Sequence, residues 1–91
     1  MSNVITGIEA IRKAKELINQ EETNVICTTF LPGELTNVTV YEFIDSYYLV
    51  VGKEPVHLSF FEKITKEEAD NIVSNIRGLS HIGTCFEFGG F

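Results

Sequence analysis

One local pattern occurs twice in this chain, as Ile5-Thr6-Gly7-Ile8-Glu9-Ala10 and as Ile64-Thr65-Lys66-Glu67-Glu68-Ala69. In each copy a threonine precedes a glutamate by three residues. The threonine hydroxyl can accept a hydrogen bond from an amide of the first helical turn, and the glutamate can accept one from the threonine amide. We therefore expect one helix to begin at each copy, with the middle of the chain between them.

The residues that follow each copy have helical spacing. Apolar residues of the first helix recur three and four residues apart, at Ile8, Ile11, Ala14, Leu17 and Ile18. In the second helix they do so at Ala69, Ile72, Val73 and Ile76. Gly78 lies where a left-handed helix ending is expected, directly after the basic Arg77. Both helices are therefore predicted to be amphipathic, each with one face directed towards a core.

Between the helices, β-branched and aromatic residues alternate with turn-forming residues. Four candidate strands span residues 25–30, 38–44, 47–51 and 56–62, and a fifth, 82–88, follows the second helix. Short turns between successive strands are typical of antiparallel pairing. The pattern predicts a two-layer α+β fold: a mainly antiparallel sheet of about five strands with two helices on one face, in the order α-β-β-β-β-α-β.

The size and composition of the chain indicate one ordered domain that spans residues 1–91. Apolar residues make up 44% of the 91 residues and charged residues 22%, which is enough apolar material for a single core. The Met1 end lacks the basic and apolar regions of a signal peptide, so a cytoplasmic protein is expected. In that compartment Cys27 and Cys85 are expected to be small buried residues rather than a disulfide.

The charge balance narrows the choice of partners. Thirteen acidic and seven basic residues give a formal net charge of -6. Lysine and arginine supply most of the affinity of a protein for phosphate groups, so we expect neither direct nucleic-acid binding nor binding to an anionic membrane. The acidic surface either serves solubility, or it imitates nucleic acid or binds a partner protein with a basic surface.

The sequence contains no pattern that predicts catalysis. No nucleophile elbow, zinc-protease, dinucleotide or phosphate-loop motif occurs. His81 and Cys85 are four residues apart, which in a strand places them about 13 Å apart, too far for one metal ion or one proton transfer. We therefore expect a protein that is not an enzyme, with no catalytic residues, no metal site and no cofactor.

The two faces of the predicted sheet differ in composition. One alternating set is apolar and is the expected core: Val38, Val40, Ile44, Leu49, Val51, Val56, Leu58, Phe60, Ile82 and Phe86. Two helices, each about 10 Å wide, cover one face of about four strands spaced about 4.8 Å apart. We expect the other face to be uncovered and to bind a partner through Tyr41, Phe43, Tyr48, Val50, His57, Ser59, Phe61 and Glu87. Alternatively, a long turn or the curl of the sheet shields these aromatic residues.

Three functions remain open at this point. The first is a small acidic protein-binding domain that inhibits or regulates another protein; in size and charge the chain is similar to phage-encoded proteins that block host defence enzymes. The second is a homodimeric structural or assembly protein. The third comes from Gly89-Gly90-Phe91, which resembles the diglycine tails of ubiquitin-like and sulfur-carrier proteins. That resemblance implies an activated glycine carboxylate after removal of Phe91, although the predicted order of elements departs from the ββαββ order of that family.

Overall fold

The structure of the protein is a computed structural model that describes residues 4–78 and 84–87. Within these residues, six strands and two helices form the fold. In chain order they are β1 (Val4–Thr6), α1 (Ile8–Ile18), β2 (Thr23–Leu31), β3 (Thr36–Phe43), β4 (Ser46–Lys53), β5 (Phe60–Ile64), α2 (Lys66–Gly78) and β6 (Thr84–Glu87). Two short 3-10 turns, Pro32–Glu34 and Val56–Leu58, join β2 to β3 and β4 to β5.

The strands form one antiparallel sheet in the spatial order β1-β5-β4-β3-β2-β6. The predicted α+β class, its antiparallel sheet and the order α-β-β-β-β-α-β are confirmed. The structure adds β1, a three-residue strand at one edge of the sheet, which pairs with β5. A bulge in β2 between Val25 and Cys27 shifts the pairing register of β2 against β3 by one residue.

The start of α1 differs from the prediction. Thr6 ends β1, where it pairs with Phe60, and its side chain makes no capping bond to the helix. Gly7 is the N-cap instead, with φ 69° and ψ -143°, and its amide donates to the Ser59 carbonyl at 2.8 Å. Only glycine adopts this backbone region at low cost, so Gly7 lets the chain turn directly from β1 into α1. The predicted capping role of Thr6 is therefore wrong.

The start of α2 follows the prediction. The Thr65 amide donates to Glu68 Oε1 at 2.9 Å, and the Glu68 amide donates to Thr65 Oγ1 at 3.1 Å. These reciprocal bonds satisfy two amides that the helix itself leaves without partners. Thr65 lies between β5 and α2, outside any strand pairing. Its backbone and side chain can therefore adopt the capping geometry. Thr6 cannot adopt it, because Thr6 is held in the pairing of β1 with β5.

The two helices pack on opposite faces of the sheet, whereas the sequence led us to expect both on one face. α1 contacts β1, β4 and β5, and its buried residues share a cluster with Tyr41, Val50 and Phe61. α2 contacts β2, β3 and β4, and it shares a second cluster with Cys27 and Val40. Neighbouring residues of β3 thus belong to different cores, because successive strand residues point to opposite faces. The face that we expected to be uncovered carries α1.

The buried side of α1 agrees with the prediction at Ala14 and Leu17, and differs from it at the two ends of the helix. Ala10, Ala14 and Leu17 are buried against the sheet, whereas Ile8 and Ile18 are exposed. Two alanines on the inner side allow the helix axis to come close to the strands, where a larger side chain would hold it away. The helix is therefore seated on its small residues, and its two terminal isoleucines remain at the surface.

The predicted strand at residues 56–62 is divided in two by the fold. Val56–Leu58 forms a 3-10 turn after Pro55, and β5 begins only at Phe60. Val56 and Leu58, expected in the core, are therefore exposed. Ser59 fixes the change of direction, because its buried hydroxyl accepts from the Lys53 amide at 2.9 Å.

The turn between β3 and β4 consists of Ile44 and Asp45, with Phe43 paired to Ser46. Both turn residues have positive φ values, 41° and 62°. Two positive φ values in a two-residue hairpin loop define a turn in which asparagine, aspartate and glycine are preferred. Ile44, predicted to be part of the core, is instead 63% exposed at the tip of this hairpin.

Candidate functional site

An open groove runs between α1 and the β1 edge of the sheet, and we call it the α1 groove. Its volume is about 740 Å³, within the range of about 300–1,000 Å³ that is typical of ligand pockets. Side chains from α1, from the turn that follows it and from four strands line the groove, namely Val4, Ile5, Lys13, Glu16, Leu17, Gln20, Phe43, Tyr48, Phe61 and Lys63. Apolar residues thus form the floor, and charged residues lie along its sides.

The floor of the groove is aromatic. The rings of Tyr48 and Phe61 lie 5.3 Å apart between centroids at 30°, within the range of favourable ring contacts. The sheet register brings them together, because Val50 pairs with Phe61 and Tyr48 is two residues before Val50 on the same face. Phe61 is 8% exposed, whereas Tyr48 and Phe43 are only half-buried. Phe61 therefore supports the groove from below, and the other two rings are accessible from it.

The sides of the groove carry more positive than negative charge. Lys13 and Glu16 of α1 form a loose ion pair with 3.8 Å between the ammonium nitrogen and a carboxylate oxygen. Lys63 lies across the groove on β5, on the same face as Phe61. No carboxylate in residues 4–78 forms an ion pair with Lys63. One lysine of the groove is thus loosely paired with a carboxylate, and the other is open to a ligand.

Exposed apolar residues continue the surface beyond the groove. Ile44 directly follows Phe43 at the hairpin tip, and Ile18 directly follows Leu17 at the end of α1. Their side chains are 63% and 53% exposed. An exposed isoleucine by itself is ordinary, but neighbouring apolar residues beside an aromatic groove are typical of an interaction surface. We refer to Phe43, Tyr48, Ile44 and Ile18 together as the apolar surface.

The eight residues predicted to bind a partner are divided by the fold. Tyr41, Val50 and Phe61 are buried in the cluster that α1 covers, and Ser59 is buried directly before β5. Phe43 and Tyr48 are half-buried and line the α1 groove. His57 is exposed in the 3-10 turn, and Glu87 lies in β6, which pairs with β2. The structure therefore brings together Phe43 and Tyr48 at an accessible site and leaves His57 away from them.

The residues that β1 and α1 bring to the groove were not predicted from the sequence. Val4 and Ile5 belong to a strand that was not predicted, and the Val4-Ile5 pair of β-branched residues was the available signal. Lys13 is not one of the apolar positions of the first helix that were predicted to face the core. Lys63 lay just beyond the predicted end of its strand, although the structure extends β5 to Ile64.

Two tyrosines have perturbed pKa values. Burial raises the pKa of Tyr41 above its ordinary value, and a hydrogen bond with Thr39 partly offsets this. Partial desolvation and the carboxylate of Glu42, to which Tyr47 donates at 3.3 Å, raise the pKa of Tyr47. A phenol whose pKa is raised stays protonated at neutral pH and supplies no base there. Both groups are suited to hydrogen bonding within the fold.

Within the part of the chain that the structure describes, no three His, Cys, Asp or Glu side chains are placed to hold one metal ion. In the same residues neither helix has the length and apolar character needed to cross a membrane. The predicted diglycine tail, Gly89-Gly90-Phe91, lies outside the described residues. Comparison of the chain with protein-family models, curated proteins and solved structures found no match.

Proposed function

We propose that this chain is a small protein-binding domain that inhibits or regulates another protein, and that the apolar surface in and next to the α1 groove makes the contact. The observation that supports the proposal is the position of Phe43 and Tyr48. Both rings are half-buried in an open groove, next to an isoleucine that the hairpin tip holds in solvent. Aromatic residues in such positions provide large contact area for little loss of side-chain entropy.

The rest of the chain favours a partner whose surface is basic around this contact. The formal net charge is -6, so association with a basic protein would be accelerated by electrostatic attraction. The proposal places this partner in the cytoplasm and involves neither nucleic acid nor a membrane. Inhibition of an enzyme is the narrower form of the proposal, and it rests on the resemblance in size and charge to phage-encoded inhibitors of host defence.

Photochemical crosslinking tests this proposal at the surface itself. A benzoyl-phenylalanine placed at Tyr48 retains an aromatic ring and reacts with whatever protein covers the groove. The matched control carries the same group at Ser74, an exposed position of α2 on the other side of the sheet. Each N-terminally tagged variant is illuminated in a lysate of the source cells, and adducts are identified by mass spectrometry after circular dichroism has shown that both variants are folded.

We expect one major adduct from the Tyr48 variant and no corresponding adduct from the Ser74 variant. Equal labelling from both positions, or no adduct from either, would contradict the proposal. An adduct with a mass of two copies of the chain, formed only by the Tyr48 variant, would instead support the homodimer. Tyr48→Glu in an otherwise unmodified chain should prevent formation of the complex, because association would bury an unpaired charge.

A further inference from the structure

The charge of the α1 groove is opposite in sign to the charge of the whole chain. Lys13 and Lys63 line the groove, and Glu16 is the acidic residue among its lining side chains. Over the whole chain acidic residues outnumber basic ones, with a formal net charge of -6. A ligand in the groove is therefore next to a net positive charge, whereas a partner on the remaining surface faces a net negative charge.

The distance between a charge and a group bound in the groove determines how strongly the two interact. At ionic strengths of about 0.1 M the screening length in water is about 10 Å, so exposed charges farther away contribute little. The lysines of the groove are within its lining and act at contact distance. Glu16 is already paired with Lys13. The ammonium group of Lys63 has no ion-pair partner within residues 4–78 and is therefore the positive charge that a ligand can neutralise most readily.

We infer that the α1 groove binds a peptide segment that places an apolar side chain next to a carboxylate. The apolar side chain would pack against Phe43 and Tyr48, and the carboxylate would pair with Lys63 and, through exchange with Glu16, with Lys13. This inference rests on the proposed function, because it names the part of the partner that enters the groove. The basic surface proposed above for the partner would then surround an acidic and apolar segment.

Two capped hexapeptides serve as probes. They share the same leucine and phenylalanine residues, and they differ only in carrying either two aspartates or two lysines. Binding is followed by amide chemical shifts of isotope-labelled protein, with the amides of Phe43 and Tyr48 as reporters. At low salt we expect the aspartate peptide to bind about five- to tenfold more tightly than the lysine peptide, as expected for one or two exposed ion pairs.

Substitutions of single lysines attribute the preference to the groove. Lys63→Glu should remove or reverse the preference for the aspartate peptide. Lys15→Glu makes the same change of charge on α1 but lies outside the groove lining, so it should keep the preference. An equal effect of the two substitutions would mean that net charge alone is responsible, which would overturn the inference. A wild-type protein that binds neither peptide, or that prefers the lysine peptide, would overturn it as well.

A third probe, octanoate, separates a peptide segment from a small amphipathic acid. If octanoate shifts the groove amides and the aspartate peptide does not, the inference of a peptide ligand fails. The outcome for the proposed function is read separately from the photochemical adducts. A partner captured at Tyr48 together with no charge preference among the peptides would leave the proposed function standing and refute this inference alone.

Discussion

Ile44 occupies a backbone conformation that suits its side chain poorly. Its φ of 41° is in the left-handed region, where a β-branched residue is an outlier, and its side chain is 63% exposed. Asn or Gly would fit this hairpin turn better. A residue that costs stability at a site beside an aromatic groove is consistent with a role in binding.

We expect Ile44→Asn to stabilise the protein by about 0.5–1 kcal/mol, because asparagine tolerates the left-handed region and isoleucine does not. The free energy of unfolding is measured in urea. Ile18→Asn is the matched control, since Ile18 is similarly exposed but lies at the end of an ordinary helix. It should give no gain. If Ile44→Asn also weakens the adduct formed at Tyr48, stability and binding oppose each other at this residue.

The two helices begin in different ways although similar sequences precede them. Thr65 is unconstrained by strand pairing and caps α2, whereas Thr6 is held in β1 and leaves the N-cap position of α1 to Gly7. A capping sequence therefore predicts that a helix begins nearby. Strand pairing then determines whether the threonine of that sequence caps the helix. The same difference makes α2 the helix whose start depends on a side chain.

Thr65→Ala should destabilise the protein by about 0.5–2 kcal/mol, the usual cost of removing an N-cap side chain. It should also speed hydrogen exchange of the Glu68 amide, which donates to the Thr65 hydroxyl. Thr6→Ala is the control from the other copy of the pattern. It should leave exchange of the Glu9 amide unchanged. Faster exchange at Glu9 would mean that Thr6 caps α1 after all.

On the scale of the whole molecule, the sheet separates two cores. Leu17 of α1 belongs to the cluster that contains Phe61, and Ile76 of α2 belongs to the cluster on the opposite face. Each helix therefore covers a different set of strand residues. For this reason the central strands are apolar on both faces. The aromatic residues on the α1 face are there mainly because α1 packs against them.

Leu17→Ala should cost about 2–5 kcal/mol and Ile76→Val about 0.5–1.5 kcal/mol. Because the two residues share no cluster, the double variant should show the sum within about 0.5 kcal/mol. Leu17→Ala combined with Phe61→Leu should deviate from additivity, since both line the same core. The free energy of unfolding of each single and double variant is measured in urea. Strong coupling between Leu17 and Ile76 would contradict the separation into two cores.

Much of the candidate site depended on contacts that sequence patterns do not specify. Phe43 and Tyr48 were identified from their alternation in the strands, and the structure places both at the groove. Tyr41 and Phe61 showed the same alternation but are buried. Alternation assigns a residue to a face of a sheet, yet it does not say whether a helix covers that face. The coverage by α1 follows from the pairing of β1 with β5.

The sequence by itself determined the α+β class, the order of the elements, the antiparallel sheet and the start of α2. These features depend on residues close together in the chain: capping bonds span three residues, strand alternation has a period of two, and turns are short. Only the tertiary structure decided which face each helix covers, and with it the existence of the α1 groove. The reason is that the pairing of Thr6 with Phe60 and the turn at Gly7 join distant parts of the chain, and local patterns carry no information about that contact.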